Sequence, residues 1–200
     1  MNKLSQIALI LASASLACLA VPNLSFARGN KNSASTSVPS ISQLGINLNG
    51  GYYQASGNQL IAWNNENRGD HPFECVEFAY GRAIERGLFQ NNQGIATVLN
   101  GDAHTWDDRI ANSSYRSRLK TRARINSLVV WEADLKFNWS EGNTTYTYFT
   151  DPIAGHVAFV EKVYPDGSFL ISEGNHQAQP IIRLVKATTP VAQAAKFIYL

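Results

Sequence analysis

The stretch HVAFVEKVYPDGSFLISEGN, residues 156–175, contains two runs of β-branched and aromatic residues separated by a Pro-Asp-Gly sequence. Such runs are typical of strands and Pro-Asp-Gly is typical of turns, so the stretch predicts a β-hairpin. The pattern leaves its register open. A two-residue loop places His156 opposite Asn175 with Glu173 diagonal on the same face, whereas a three-residue loop moves Glu173 to the other face unless a β-bulge restores it.

Strand and helix patterns continue on both sides of this hairpin. Further strands are predicted at residues 127–132, 181–187 and 195–200. Residues 138–152 are expected to form a hairpin or a long loop, and residues 49–63 an extended segment, a turn and another apolar segment.

Helical spacing of apolar residues is found in residues 74–87, where Gly87 stands at the expected helix end, and a second short helix is predicted within residues 100–115. Helices therefore dominate the first half of the chain and strands the second. This order predicts an α+β fold, in which the N-terminal helices pack on one antiparallel sheet.

Residues 1–27 have the features of a Sec signal peptide. Lys3 is the one charged residue, an apolar run follows, and small residues surround Ala27. The run is too short and too early for a membrane span, so no stable membrane insertion is expected after cleavage. Lipidation of Cys18 is an alternative, although the preceding residues match a lipobox poorly. The protein is therefore expected to be exported, to the periplasm, the cell wall or the medium.

The remaining chain is expected to be one domain. Residues 28–45 are rich in Ser and Asn and predict a flexible linker. Residues 46–200 are enough for one domain with its own core. Removal of Lys3 with the signal leaves sixteen basic residues (17 − 1) against fifteen acidic ones, so no nucleic-acid partner is indicated.

Cys75 is the one cysteine left after removal of the signal peptide, so it cannot form an internal disulfide. In an oxidising compartment such a residue is an intermolecular bridge, a buried small hydrophobe or a nucleophile. Cys75 lies at the start of the predicted helix, where the partial positive charge favours the thiolate form. This position favours the nucleophile.

A cysteine nucleophile needs a base and a group that orients the base. His156 follows Gly155 and opens a strand, whereas the other histidines, His71, His104 and His176, lie in polar or turn-like sequence where exposure is expected. Glu173 interrupts an apolar strand, and burial of an unpaired carboxylate has a free-energy cost of several kcal/mol. Protonated His156 is the natural partner of Glu173, and Asn175 could orient the ring as a neutral acceptor.

No metal-ligand spacing is found, and no cofactor is expected. Asp107 and Asp108 on the second helix and Asp70 in its loop are interpreted as solvated.

Two further features are candidates for binding. Trp139 lies in polar sequence, whereas Trp106 and Trp131 are expected in the core. Basic residues alternate from Arg116 to Arg124, so an extended chain would place all five on one face, spaced by roughly 6.5 to 7 Å. This face would suit anionic polymers, or it would protect an edge strand from aggregation.

Four segments in the same order, ECVEFAYGRAIERG, GDAHTWDDRI, NSLVVWE and GHVAFVEKVYPDGSFLISEGN, resemble the CHAP domain. This is the cysteine- and histidine-dependent amidohydrolase/peptidase family, which has a papain-like core. The resemblance implies a hydrolase that cleaves amide bonds of peptidoglycan through an acyl-enzyme. It implies Cys75 as the nucleophile, His156 as the base and Glu173 as the orienting acid, with Asn175 matching a polar residue of some members.

The resemblance has departures and leaves alternatives. Many members have Gln before the nucleophile, whereas this chain has Glu74, so the Cys75 backbone N–H is the expected oxyanion donor. The CVEFA sequence also resembles the branch that hydrolyses glutathionylspermidine, and a small glutathione-type conjugate is therefore an alternative substrate. A wall-binding or partner-docking domain without activity is the other alternative.

Overall fold

The computed structural model describes residues 38–67, 73–175 and 178–200. The predicted signal peptide, Cys18 and most of the predicted linker lie outside these residues, as do Asp70, His71 and His176. Within the described ranges, no helix is both long enough and apolar enough to cross a bilayer.

The helices lie mostly before the strands, as predicted. In the described residues the α-helices are α1 (Gln59–Asn67), α2 (Cys75–Glu85), α3 (Trp106–Ala111) and α4 (Pro190–Gln193). Short 3₁₀-helices occur at Ser42–Leu44, Gly51–Tyr53, Gly94–Thr97, Ala103–Thr105 and Arg116–Arg118. The predictions of a helix after Glu74 and of a short helix near Trp106 are confirmed.

Helix α2 begins and ends where its sequence indicates. Its apolar positions face the core, where Ala79 and Ala83 are completely buried. At its end Gly87 adopts a positive φ of 68°, its N–H donates to Ile84 at 2.8 Å, and the Leu88 N–H donates to Ala83 at 3.0 Å. This pair of bonds is a Schellman cap, which glycine favours because it has no Cβ.

Helix α1 replaces the apolar segment that was expected after residue 58. The side-chain oxygen of Asn58 accepts hydrogen bonds from the N–H groups of Leu60 at 3.0 Å and Ile61 at 3.4 Å. An Asn at this position satisfies donors of the first helical turn that have no partner within the helix.

Residues before Ile46 also pack onto the domain. Ser42–Leu44 forms a 3₁₀-helix within the segment predicted as a linker, and Ile41 and Leu44 contact the cluster of Ile46, Tyr53 and Phe78.

The predicted antiparallel sheet has six strands in the order β1-β8-β2-β5-β6-β7. The strands are β1 (Leu119–Lys120), β2 (Ser127–Trp131), β5 (His156–Val163), β6 (Phe169–Asn175), β7 (Ala178–Val185) and β8 (Lys196–Tyr199). Strands β3 (Lys136–Glu141) and β4 (Thr144–Phe149) form a separate hairpin. This second hairpin is one of the two outcomes expected for residues 138–152.

The hairpin of β5 and β6 combines a three-residue turn with a β-bulge. Val163 pairs with Phe169, and the Tyr164 N–H donates to the Ser168 carbonyl at 2.8 Å, which leaves residues 165–167 as the loop. The register shifts between Val160 and Lys162. The extra residue, Glu161, restores the alignment that brings His156 and Glu173 to one end of the sheet.

The two faces of the sheet are covered differently. Helices α2 and α3 pack on one face, against residues such as Val130, Val157 and Phe159. The β3–β4 hairpin and α4 cover the other, where Tyr148 and Val191 pack against Trp131. Trp106 and Trp131 are buried, as predicted. Trp139 stacks on Tyr146 within the hairpin, with ring centroids 5.4 Å apart.

The basic segment from Arg116 to Arg124 is not one extended strand. Arg116–Arg118 is a 3₁₀-helix and β1 has two residues, so the prediction of one continuous basic face is wrong. The Arg118 and Arg124 side chains instead donate to the backbone oxygens of Tyr199 and Leu200.

Candidate active site

Cys75 is the first residue of α2 and is half-buried. Strand β6 passes directly against the chain that enters this helix: a Cβ added at Gly174 would lie 2.3 Å from the Phe73 oxygen and 2.6 Å from the Glu74 oxygen. Glycine at residue 174 therefore allows the end of β6 to approach the start of α2. The sulfur thus lies at the helix N-terminus, as predicted.

His156 begins β5 at the same end of the sheet. Gly155 precedes it with φ 71°, and an added Cβ would lie 2.7 Å from the Trp131 oxygen and 2.8 Å from the His104 Cβ. The Trp131 ring stacks beside His156, with centroids 5.9 Å apart and an interplanar angle of 25°. These contacts hold the imidazole on a rigid strand.

Three of the predicted site residues meet here. His156 Nε2 lies 2.6 Å from Glu173 Oε2, and the Glu173 side chain is 3% exposed. Cys75 lies close enough to His156 to be one of the groups that raise its pKa. Because Nε2 is occupied by Glu173, Nδ1 is the ring nitrogen left for the sulfur.

Asn175, the fourth predicted residue, ends β6 and pairs through its backbone with Ala178. Its side chain lies outside what the structure describes, and its predicted role as an orienting acceptor stays a prediction.

His104 differs from the expectation of an exposed residue. It is half-buried beside Gly155, its N–H donates to the Ala154 carbonyl at 2.9 Å, and its Nδ1 is buried without a hydrogen-bond partner in the described part of the chain.

Two residues of the site were missed in the sequence. The Arg183 Nε, on β7, donates to Glu173 Oε1 at 2.7 Å, and the Tyr148 hydroxyl, on β4, donates to Glu173 Oε2 at 3.4 Å. A signal for Arg183 was present, since it interrupts the apolar run IIRLV and a cation there needs a partner. No comparable signal marks Tyr148, because its contact depends on how the β3–β4 hairpin packs.

The site stabilises an ionised pair at neutral pH. Burial would lower the pKa of His156, but the hydrogen bonds and charges of Cys75 and Glu173 raise it to about 10. Burial would raise the pKa of Glu173, but the charge of Arg183 and the hydrogen bond from His156 lower it to about 2. Burial, followed by the charge of Glu173, raises the pKa of Tyr148 well above its ordinary value. His156 is thus a cation and Glu173 an anion at neutral pH.

We expect the raised pKa of His156 to appear in the pH dependence of stability. The stability that comes from charging His156 is fully present below its ordinary pKa of 6.5 and is lost as the pH rises through about 10. The difference in free energy of unfolding between wild type and His156→Gln should therefore shrink across this window. Urea unfolding at several pH values measures it, and a difference that is constant with pH would contradict the pairing.

The close approach at Gly174 gives a second prediction. Gly174→Ala should lower the free energy of unfolding by at least about 2 kcal/mol, because the new Cβ would overlap backbone oxygens that cannot move away alone. Activity should fall with it, since Cys75 is displaced from His156. Gly51→Ala is the matched control, because its Cβ would meet nothing within 4 Å. Urea unfolding of both variants is the measurement, and equal stabilities would contradict the prediction.

The acidic residues of α3 differ in their exposure. Across the described residues, no group of three or more His, Cys, Asp or Glu is arranged to hold a metal ion. The prediction that Asp107 is solvated is wrong: it is 1% exposed and its Oδ2 accepts a hydrogen bond from Lys196 Nζ at 2.6 Å. Lys196 also donates to Glu132 at 2.6 Å, whereas Asp108 is exposed, as predicted.

Comparison with known proteins gives a consistent family. The CHAP domain family model matches residues 63–175, which is more than half of the chain. An N-acetylmuramoyl-L-alanine amidase domain-containing protein of Staphylococcus aureus is 33% identical over 109 residues, covering 54% of this chain and 14% of the relative. The N-acetylmuramoyl-L-alanine amidase sle1 of the same species is 30% identical over 127 residues, covering 64% of this chain and 30% of the relative.

A solved structure is also similar. The crystal structure of an N-acetylmuramoyl-L-alanine amidase from Staphylococcus aureus matches with a TM-score of 0.46 and 28% identity, covering 64% of this chain and 31% of that one. The chain spans less than a third of the length of these proteins.

Proposed function

Since the chain belongs to the CHAP domain family, we propose that it is an exported cysteine hydrolase that cleaves amide bonds of peptidoglycan. The observation that carries the proposal is the 2.6 Å contact of His156 Nε2 with Glu173 Oε2, next to Cys75 at the start of α2. This is the arrangement that an acyl-transfer reaction with a thiolate nucleophile requires.

In the proposed first step the Cys75 thiolate attacks the carbonyl carbon and forms a C–S bond. The oxyanion accepts a hydrogen bond from the Cys75 backbone N–H, which lies in the first helical turn, where N–H groups lack a helical partner. His156 Nδ1 then donates its proton to the amine nitrogen as the C–N bond breaks, which leaves a thioester on Cys75 and neutral imidazole.

In the second step a water molecule attacks the thioester while His156 Nδ1 takes its proton. The tetrahedral intermediate collapses, the C–S bond breaks, and the products are a carboxylic acid and the thiolate beside imidazolium. The ionised Glu173 stabilises the imidazolium and fixes the ring tautomer through Nε2 in both steps.

The substrate proposal follows from the names of the relatives, which are N-acetylmuramoyl-L-alanine amidases. We infer that the bond is this amide or an amide within the stem peptide or cross-bridge. Export by the predicted signal peptide would bring the enzyme to that substrate in the periplasm, in the wall or outside the cell.

Mass spectrometry of the fragments released from purified sacculi tests the proposal. Cleavage at the sugar leaves free N-acetylmuramic acid carboxyl groups and peptides with a new N-terminal alanine, whereas an endopeptidase leaves new ends within the peptide. Protein that has been alkylated at Cys75 should release neither set. Hydrolysis of a glutathione-type conjugate without release from sacculi would favour the small-amide alternative, and tight binding of sacculi without any cleavage would favour a binding domain.

A further inference from the structure

We propose that Arg183 is a positioning residue of this site, which holds the Glu173 carboxylate so that it serves His156. The inference rests on the proposed function, because it assigns Arg183 a part in the same Cys75–His156–Glu173 arrangement. No substrate contact is required of Arg183.

The two oxygens of Glu173 have different partners. Oε2 faces His156 Nε2 at 2.6 Å and the Tyr148 hydroxyl at 3.4 Å, while Oε1 accepts from Arg183 Nε at 2.7 Å. A carboxylate rotates about its last side-chain bond unless both oxygens are held. The bond from Arg183 therefore fixes the plane of the carboxylate and the direction of Oε2.

Arg183 is itself held in place by the sheet and by an aromatic ring. It pairs with Ile171 across β6 and β7, so its Cα position is set by the strand register. Its guanidinium carbon lies 5.2 Å from the centroid of the Tyr148 ring, within cation–π range. The side chain is 43% exposed and that of Glu173 is 3% exposed, so Arg183 links a buried anion to the surface.

The charge balance around Glu173 also depends on Arg183. The groups that face Glu173 are His156 on β5, Tyr148 on β4 and Arg183 on β7, and Cys75 on α2 lies beyond His156. Tyr148 is neutral at neutral pH, because its ordinary pKa is 10.0 and burial raises it further. Without Arg183 the buried carboxylate has a single cationic neighbour, and burial then favours its neutral form.

Steady-state kinetics of Arg183→Met and Arg183→Lys test this role. In Arg183→Met, kcat for a soluble peptidoglycan fragment should fall by about 10- to 100-fold with KM close to wild type, because the base is misplaced but the substrate surface is not changed. Arg183→Lys should recover part of the loss, since it keeps the charge but not the planar guanidinium group. Arg86→Met, which changes an exposed arginine at the C-terminal end of α2, is the matched control.

The rate of Cys75 alkylation by iodoacetamide, followed by peptide mapping, is a readout that needs no substrate. In Arg183→Met the pKa of Glu173 should rise, so Glu173 becomes protonated at a higher pH than in wild type. The neutral carboxyl group then stabilises the His156 imidazolium less well, and the ion pair proposed between His156 and the Cys75 thiolate is less favoured. The ratio of the alkylation rate at about pH 5 to the rate at about pH 8 should then be roughly tenfold lower than in wild type. Arg183→Lys should lie close to wild type in this ratio.

Two outcomes would overturn the inference. A raised KM with unchanged kcat would place Arg183 against the substrate, and an unchanged alkylation profile in folded Arg183→Met would show that Glu173 does not depend on it. If Arg183→Met does not fold, the partial loss of kcat in Arg183→Lys carries the test. Amide cleavage by wild type tests the proposed function, whereas the alkylation profile tests the role of Arg183 without a substrate. Failure of the proposed function is therefore distinguishable from failure of this inference.

Discussion

Replacing Cys75 with alanine is expected to lower the rate of amide hydrolysis by at least about 10³-fold and to leave the protein folded. The change removes the one atom that can form the proposed acyl-enzyme, and neither water nor His156 can replace it at a comparable rate. Stability should change little, because Cys75 is half-buried at a helix start and alanine is accepted there. Release of soluble fragments from sacculi measures the rate, and circular dichroism measures the fold.

Arg86→Ala is a suitable control for this variant. Arg86 lies at the other end of the same helix, is exposed, and hydrogen-bonds the Asn126 side chain at 3.4 Å. Its loss should leave hydrolysis unchanged. Retention of wild-type hydrolysis by Cys75→Ala would exclude Cys75 as the nucleophile. Inactive wild type, with binding to sacculi that is unaffected by Cys75→Ala, would instead indicate a wall-binding domain.

The main elements of the fold could be predicted because their signals are local. The β5–β6 hairpin has strand-forming residues around a turn sequence, and α2 has helical spacing with Gly87 at its end. Helix α1 was missed because its apolar spacing is weak and its start depends on the Asn58 cap. The alternation of basic residues near β1 does not indicate a strand. Alternation specifies a strand where the apolar side chains of one face pack on the core, and the alternating residues here are charged.

The bulge at Glu161 shows why register was harder to predict than the hairpin itself. Both loop lengths suited the sequence, and the three-residue turn needs an extra residue to restore the alignment of His156 with Glu173. Glu161 accepts hydrogen bonds from Arg82 at 2.8 Å and from Ser172 at 2.7 Å. A residue 79 positions away therefore stabilises the bulge, and such a contact has no signal in the local pattern.

The site residues also divide into those with a local sequence signal and those whose position depends on distant contacts. Cys75 at a helix start, His156 after a glycine and Glu173 in an apolar strand each stand out within a few neighbours. Tyr148 and Arg183 reach Glu173 from other strands, so their contacts depend on hairpin packing and strand register. Local sequence identified the three residues of the proposed reaction, and the tertiary structure was needed for those that surround them.

Glu173→Gln is expected to lower kcat by about 10²- to 10⁴-fold while the protein stays folded. Glutamine keeps the volume of the side chain but carries no charge, so the imidazolium form of His156 loses its anionic partner and its pKa falls. The amide can also present an N–H to Nε2, which would leave the ring proton on Nδ1 and remove the acceptor that Cys75 needs. Steady-state rates on a soluble fragment measure the loss. Glu141→Gln on the β3–β4 hairpin is the matched control, since it also removes one carboxylate, which is paired with Lys186.

The same experiment separates the two residues that could orient His156. If Glu173 is the orienting group, Asn175→Ala should reduce kcat much less than Glu173→Gln, because the charged hydrogen bond at 2.6 Å remains. The reverse order, with Glu173→Gln near wild type and Asn175→Ala nearly inactive, would make Asn175 the orienting residue and leave Glu173 as a partner of Arg183. The stability of both variants should be measured, since Glu173→Gln leaves Arg183 without its anion while Asn175→Ala does not.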